Sequence, residues 1–192
     1  MYNQLTMKMP DGEVCVKNFE KMPNLKIGVT GRKGIGKSTA LRKVLAQIPQ
    51  KLVGFITRPI EEGNTLKGFE IVDLFDGASH PIAYFDEENS IHPVLEGFET
   101  VGVAALLHAL KYGGVILMDE LGFLENDATN FKNMVFKVLE SDKLVFCVIK
   151  AERNDFLEAV SKKVDRIFAI DKENRDEIPD IIWRFICSTK TL

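Results

Sequence analysis

Gly31-Arg32-Lys33-Gly34-Ile35-Gly36-Lys37-Ser38 decides the fold of this chain. The stretch satisfies G-x-x-x-x-G-K-[ST] and stands where that pattern has physical meaning. It follows the apolar run Leu25-Lys26-Ile27-Gly28-Val29-Thr30 and opens a helical stretch beginning at Ser38. The glycines let consecutive backbone N–H groups turn inward around an anion, and a helix N-terminus adds partial positive charge. Lys37 is spaced to reach β- and γ-phosphates, and the Ser38 hydroxyl to ligate Mg²⁺. The pattern therefore predicts a nucleoside triphosphate site (ATP, GTP or others) built from Gly31, Arg32, Lys33, Gly34, Ile35, Gly36, Lys37, Ser38 and Thr39.

Outward from this loop, short apolar runs alternate with helical periods. Strands are expected at 25–30, 51–57, 114–119, 143–149 and 165–170, and helices at 37–48, 99–111, 127–140, 153–162 and 174–187. Short β-branched runs separated by helices imply an α/β fold, a mainly parallel sheet covered on both faces. Residues 64–85 break the alternation. Two strand-like runs, Gly68 to Leu74 and His80 to Phe85, flank the turn Phe75-Asp76-Gly77-Ala78 and read as a β-hairpin inserted after the second core strand. The insertion, about 64–98, is either a lid over the nucleotide or a decorated sheet edge. Residues 1–24 form an N-terminal extension with the pattern of a short strand or hairpin, and 25–192 form the nucleotide-binding domain.

A second cluster of polar residues ends the third core strand. Val115-Ile116-Leu117-Met118 leads into Asp119-Glu120, and a strand buried in a parallel sheet has no structural reason to end in two acids. Asp119 is the candidate partner of Ser38 in holding Mg²⁺, directly or through water. Glu120, one residue on, is expected to point elsewhere and to polarise an attacking water as general base. The adjacent acids resemble the division of phosphate-loop proteins in which another strand separates the phosphate-loop strand from the acidic strand. That resemblance implies a three-layer α/β/α fold with a five-stranded core in the order 2-3-4-1-5. The carboxyl end of the 143–149 strand would then face the γ-phosphate, where Lys150 is a candidate phosphate contact. Arg58, ending the second core strand, is positioned either to stabilise transferring phosphoryl charge or to pair with Glu61 or Glu62.

Composition narrows the class. The chain has 192 residues, 45% hydrophobic and 28% charged, with a formal net charge of −3, enough for one well-packed domain without staples. That balance gives no broad footprint for nucleic acid or anionic membrane. Cys15, Cys147 and Cys187 are widely spaced with no C-x-x-C pattern, so neither a disulfide framework nor a zinc site is expected. No apolar run has membrane-spanning length and the first ten residues lack a signal-peptide core, which points to the cytoplasm. His80, His92 and His108 show no ligand spacing, and the thirteen phenylalanines are read as core.

Taken together, the residues resemble the small P-loop nucleoside-triphosphatase family, the thermostable or cancer-related type. The similarity rests on 31–39, Gly54-Phe55-Ile56-Thr57, Gly68-Phe69-Glu70-Ile71-Val72-Asp73-Leu74, Met118-Asp119-Glu120-Leu121-Gly122, Ser141-Asp142-Lys143-Leu144 and Asn174-Arg175-Asp176-Glu177. It implies Mg²⁺-dependent hydrolysis of nucleoside triphosphates to diphosphate and phosphate with slack base selectivity. It also places Asn174 or Arg175 near the base, although Asn174 reads equally well as a helix cap. The chain departs from the family in its N-terminal extension and in two motifs. Arg58-Pro59-Ile60-Glu61 stands where acidic residues and then an arginine are usual, and Phe123 stands where Asp-Glu-Ile-Gly is usually followed by lysine.

Two other functions fit the same loop. One is a small-molecule or nucleotide kinase with 64–98 closing over the acceptor. Against it, residues 59–98 contain no arginine. The other is a nucleotide-dependent accessory or switch protein in cofactor assembly. No N-K-x-D guanine signature supports a GTP-specific version; Asp171-Lys172-Glu173 is only a faint echo.

Overall fold

The computed structural model describes residues 24–189 throughout and, ahead of them, the backbone of two short strands. These strands, β1 (Gln4–Lys8) and β2 (Val14–Asn18), pair antiparallel in a sheet of their own, Gln4 opposite Asn18.

The main sheet has eight strands. Five run parallel: β3 (Lys26–Gly31), β4 (Leu52–Glu62), β8 (Val115–Leu121), β9 (Val145–Lys150) and β10 (Arg166–Ile170). Three more, β5 (Thr65–Asp73), β6 (Ser79–Phe85) and β7 (Ile91–Pro93), continue it antiparallel from β4, giving the order β10-β3-β9-β8-β4-β5-β6-β7. The expected five-stranded core with an appended hairpin is thus a single mixed sheet. The reason lies in β4, which runs past Arg58 to Glu62 and offers its free edge to β5, so the inserted residues satisfy their backbone groups on the sheet itself.

Helices cover both faces. α1 (Lys37–Leu45) and α6 (Ile178–Ser188) pack Leu41, Val44, Ile182 and Trp183 against Ile27, Val29, Leu117 and Phe146. On the other face lie α2 (Leu95–Gly97), a π-helical turn (Phe98–Gly102), α3 (Val103–Tyr112), α4 (Thr129–Leu139) and α5 (Asp155–Lys163). They bury Phe98, Leu106, Phe131, Val135 and Val160 against Phe55, Ile116, Met118 and Cys147. Strand β8 shows why: Val115 and Leu117 belong to one core, Ile116 and Met118 to the other, as period-two alternation between two covered faces requires. The segment 95–112 is continuous helix through the π turn, and Phe98 in it packs on Phe131 at 5.2 Å.

Two expectations are corrected. The last helix begins at Ile178 rather than 174, because Asn174 and Asp171 bond each other's backbone N–H groups and hold 171–177 as turns. Cys187 is disulfide-bonded, which the wide cysteine spacing does not signal. Cys147 is the buried free thiol, pushed up to about 12 by burial. Among the described residues no helix is long and apolar enough to cross a membrane.

Candidate functional site

The loop between β3 and α1 is built by its glycines. Gly31 adopts φ +153° and lies so close to β10 that a Cβ there would meet the Ile170 carbonyl at 2.5 Å. Gly36, at φ +106°, is the left-handed residue from which α1 starts. No side chain caps α1, so its first N–H groups face the loop. Lys37 folds back over the loop, donating to the carbonyls of Gly31 (3.2 Å) and Arg32 (3.4 Å).

The acidic strand meets this loop. Ser38 Oγ donates to Asp119 Oδ1 at 3.2 Å. Burial raises the Asp119 carboxyl above the ordinary aspartate range, against the opposing pull of the Ser38 hydrogen bond. Glu120 does not point elsewhere, as simple alternation predicts. The β8–β9 register slips between Asp119 and Leu121, so Glu120 is the extra residue of a bulge, and both carboxylates line the same cleft. The Glu120 carboxylate stands between two cations, 3.7 Å from Lys37 Nζ and 3.5 Å from Lys150 Nζ.

Two adjoining cavities share Lys33, Lys37, Thr57, Phe69 and Glu120. The smaller, about 330 Å³, runs along Gly34, Gly36, Ser38, Thr39 and Asp119. The larger, about 480 Å³, is bounded by Gly31 and Arg32 of the loop, by Lys150 and by an apolar wall that includes Phe69, Phe85, Ile91, Phe98 and Phe123. Several phenylalanines read as core from the sequence are therefore cavity lining. Glu125, which no sequence signal singles out, also lines it. Glu125 is 2% exposed, accepts a hydrogen bond from the Gly122 N–H at 2.6 Å, and is raised by burial to about 7.

Other candidates stand apart from this cluster. Thr57 and Pro59 line the cleft, so the intervening Arg58 is turned to the opposite strand face, where it pairs with Glu70 at 2.9 Å across β4 and β5. Its partner is the cross-strand residue rather than Glu61 or Glu62. Asn174 accepts from the Asp171 N–H and donates to the Ala169 carbonyl, and Arg175 lies 3.9 Å from Asp176. Neither lines the two cavities. Asn174 serves as a brace within the loop after β10 rather than as a helix cap, while β10 itself pairs with β3 at Gly31.

A phosphate loop at the carboxyl edge of a parallel sheet, facing an acidic strand, defines a P-loop protein of α/β class. The chain belongs to the NTPase family, whose model matches residues 26–183. It is 32% identical over 160 residues to nucleoside-triphosphatase THEP1 of Thermotoga maritima, covering 80% of this chain and 91% of that protein. Identity to the THEP1 of Methanosarcina acetivorans is also 32%, over 166 residues, covering 82% and 94%. The fold is similar to the crystal structure of THEP1 from Aquifex aeolicus (TM-score 0.68, 22% identity, covering 84% of this chain and 99% of that one). It is also similar to the solution structure of a human cancer-related nucleoside triphosphatase (TM-score 0.67, 24% identity, 86% and 100%).

Proposed function

We propose that this chain hydrolyses nucleoside 5′-triphosphates to diphosphate and phosphate, with Glu120 activating the attacking water. The observation that carries the reading is the placement of the Glu120 carboxylate between Lys37 and Lys150, beside the Ser38–Asp119 pair. The triphosphate lies along the loop N–H groups and the start of α1, and Lys37 exchanges its loop carbonyls for phosphate oxygens. Lys150 neutralises charge developing on the transferred group. Glu120 accepts a proton from a water held on the side of the γ-phosphate facing the larger cavity.

Ser38 and Asp119 offer a hydroxyl and a carboxylate, hard oxygen donors that suit a divalent cation of the Mg²⁺ kind. Bound there, such an ion would supply charge neutralisation at the phosphates. Its charge would also favour the ionised form of the Asp119 carboxyl, which burial disfavours. The 171–177 turns, standing beside Gly31, shape the base side of the loop. The names of the curated relatives, nucleoside-triphosphatase, support the same reaction.

Arg58, held by Glu70, takes no part in this reading. The test is phosphate release from Mg·ATP and Mg·GTP by wild type and Glu120→Gln. Retained nucleotide affinity with turnover lower by roughly 10²–10⁴ is expected of a lost general base.

A further inference from the structure

The larger cavity is more than hydrolysis needs. Its loop end, lined by Gly31, Arg32, Lys33 and Lys37, is room for the terminal phosphate, but the chamber holds about 480 Å³ in all, within the range of sites for small organic molecules, against about 30 Å³ for one attacking water. It opens on the side of the loop where Lys37, Glu120 and Lys150 converge, which is where a phosphoryl acceptor stands during transfer. Its far wall is contributed by β5, β6, β7, the π turn and the bend after β8.

We propose that this chamber is an acceptor subsite, binding a small neutral alcohol with an aromatic or bulky apolar body and placing its hydroxyl at Glu120 for phosphorylation. The proposal rests on the triphosphate reading of the adjoining loop. Phe69 and Phe85 meet edge to face at 5.9 Å, and Phe85 pairs with Ile91 across β6 and β7, so the wall is set by the sheet rather than by a mobile loop. Phe123, at 37% exposure, lines the chamber with Lys150 Nζ 5.3 Å from its ring centroid. Rings so placed suit an apolar or aromatic body.

Charge selects further. The cations lining the chamber, Arg32, Lys33, Lys37 and Lys150, all stand on the phosphate loop, at the start of α1 or at the end of β9, where the triphosphate takes them up, and the apolar wall from Phe69 to Phe98 offers none to an anionic acceptor. Residues 59–98, which build much of the wall, contain no arginine to clamp an acceptor's own phosphate. That absence turns away nucleotides and sugar phosphates but not a neutral alcohol. In the transfer, the alcohol oxygen forms a bond to Pγ and the bond from Pγ to the β,γ-bridging oxygen breaks. The nucleoside diphosphate leaves, and the hydroxyl proton passes to the Glu120 carboxylate.

The probe is 2-(2-naphthyl)ethanol, with 3-phenylpropanol and 2-(4-hydroxyphenyl)ethanol beside it. Its fluorescence is titrated against the whole chain holding Mg²⁺ and a non-hydrolysable ATP analogue. Separately, γ-labelled ATP is turned over with each alcohol, and labelled ester is resolved from inorganic phosphate. Saturable binding in the presence of the analogue is expected, weakened about ten-fold by Phe123→Ser or Phe85→Ser as ring contacts are lost, together with labelled ester. Absence of saturable binding, displacement of the probe by the analogue, or label found only in inorganic phosphate overturns the proposal. Phosphate release without any alcohol reports on hydrolysis independently, so the two readings fail separately.

Discussion

Ser38 and Asp119 are 81 residues apart in sequence, yet Oγ and Oδ1 are 3.2 Å apart. The phosphate loop and the acidic strand reach each other because β9 lies between β3 and β8 and brings their carboxyl ends to one edge. The contact joins the two donors best suited to a divalent cation. Its cost is visible in the Asp119 carboxyl, which burial raises.

Asp119→Asn should therefore separate activity from stability. Phosphate release should fall by roughly two orders of magnitude or more, as should that of wild type in excess EDTA. The melting temperature at pH 7 should not fall, since a group with a raised folded pKa opposes folding once ionised, and the amide removes that charge. Steady-state phosphate assays and thermal melts check both halves.

Lys37 is held by two loop carbonyls and faces Glu120 at 3.7 Å, a position from which it turns to a phosphate. Lys37→Ala should abolish Mg·ATP binding in titration calorimetry. The expected loss exceeds about ten-fold, because a charged contact to phosphate is removed from a cleft.

Arg58 pairs with Glu70 while half exposed. Arg58→Ala should change kcat less than about two-fold and stability by less than about 1 kcal/mol, the range of exposed ion pairs. Turnover measured beside a urea melt checks this.

Glu125 carries a pH signature. Its folded pKa stands near 7 against 4.5 for the free side chain, so between these values the unfolded chain has released a proton that the folded chain keeps. Stability should fall as pH rises through this window and level off above about 7, by an amount on the order of 3 kcal/mol. Glu125→Gln should flatten that part of the profile, read from denaturant midpoints between pH 4.5 and 7.5.

Much of this was legible in the chain because the informative residues are local. The phosphate loop is one continuous stretch. The strands at Ile27, Ile116 and Phe146 are runs buried on both faces, which leaves little ambiguity. What escaped depends on register and on distant partners. Arg58 looks like an active-edge arginine until the cavity side of Thr57 and Pro59 fixes its face. A bulge, not alternation, brings Glu120 beside Asp119. Phe69, Phe85 and Phe123 have the composition of core, and only the course of β5 to β7 makes them the wall of a cavity. Glu125 sits between Leu124 and Asn126 with no spacing signal, and its burial comes from the bend after β8.

The central claim is that Glu120 activates water on a triphosphate held by the loop. Single-turnover phosphate release by Glu120→Gln, at nucleotide concentrations shown by calorimetry to saturate it, tests that claim most directly. The account predicts wild-type affinity with release slowed by roughly 10²–10⁴. Release at the wild-type rate from a saturated Glu120→Gln site would contradict it.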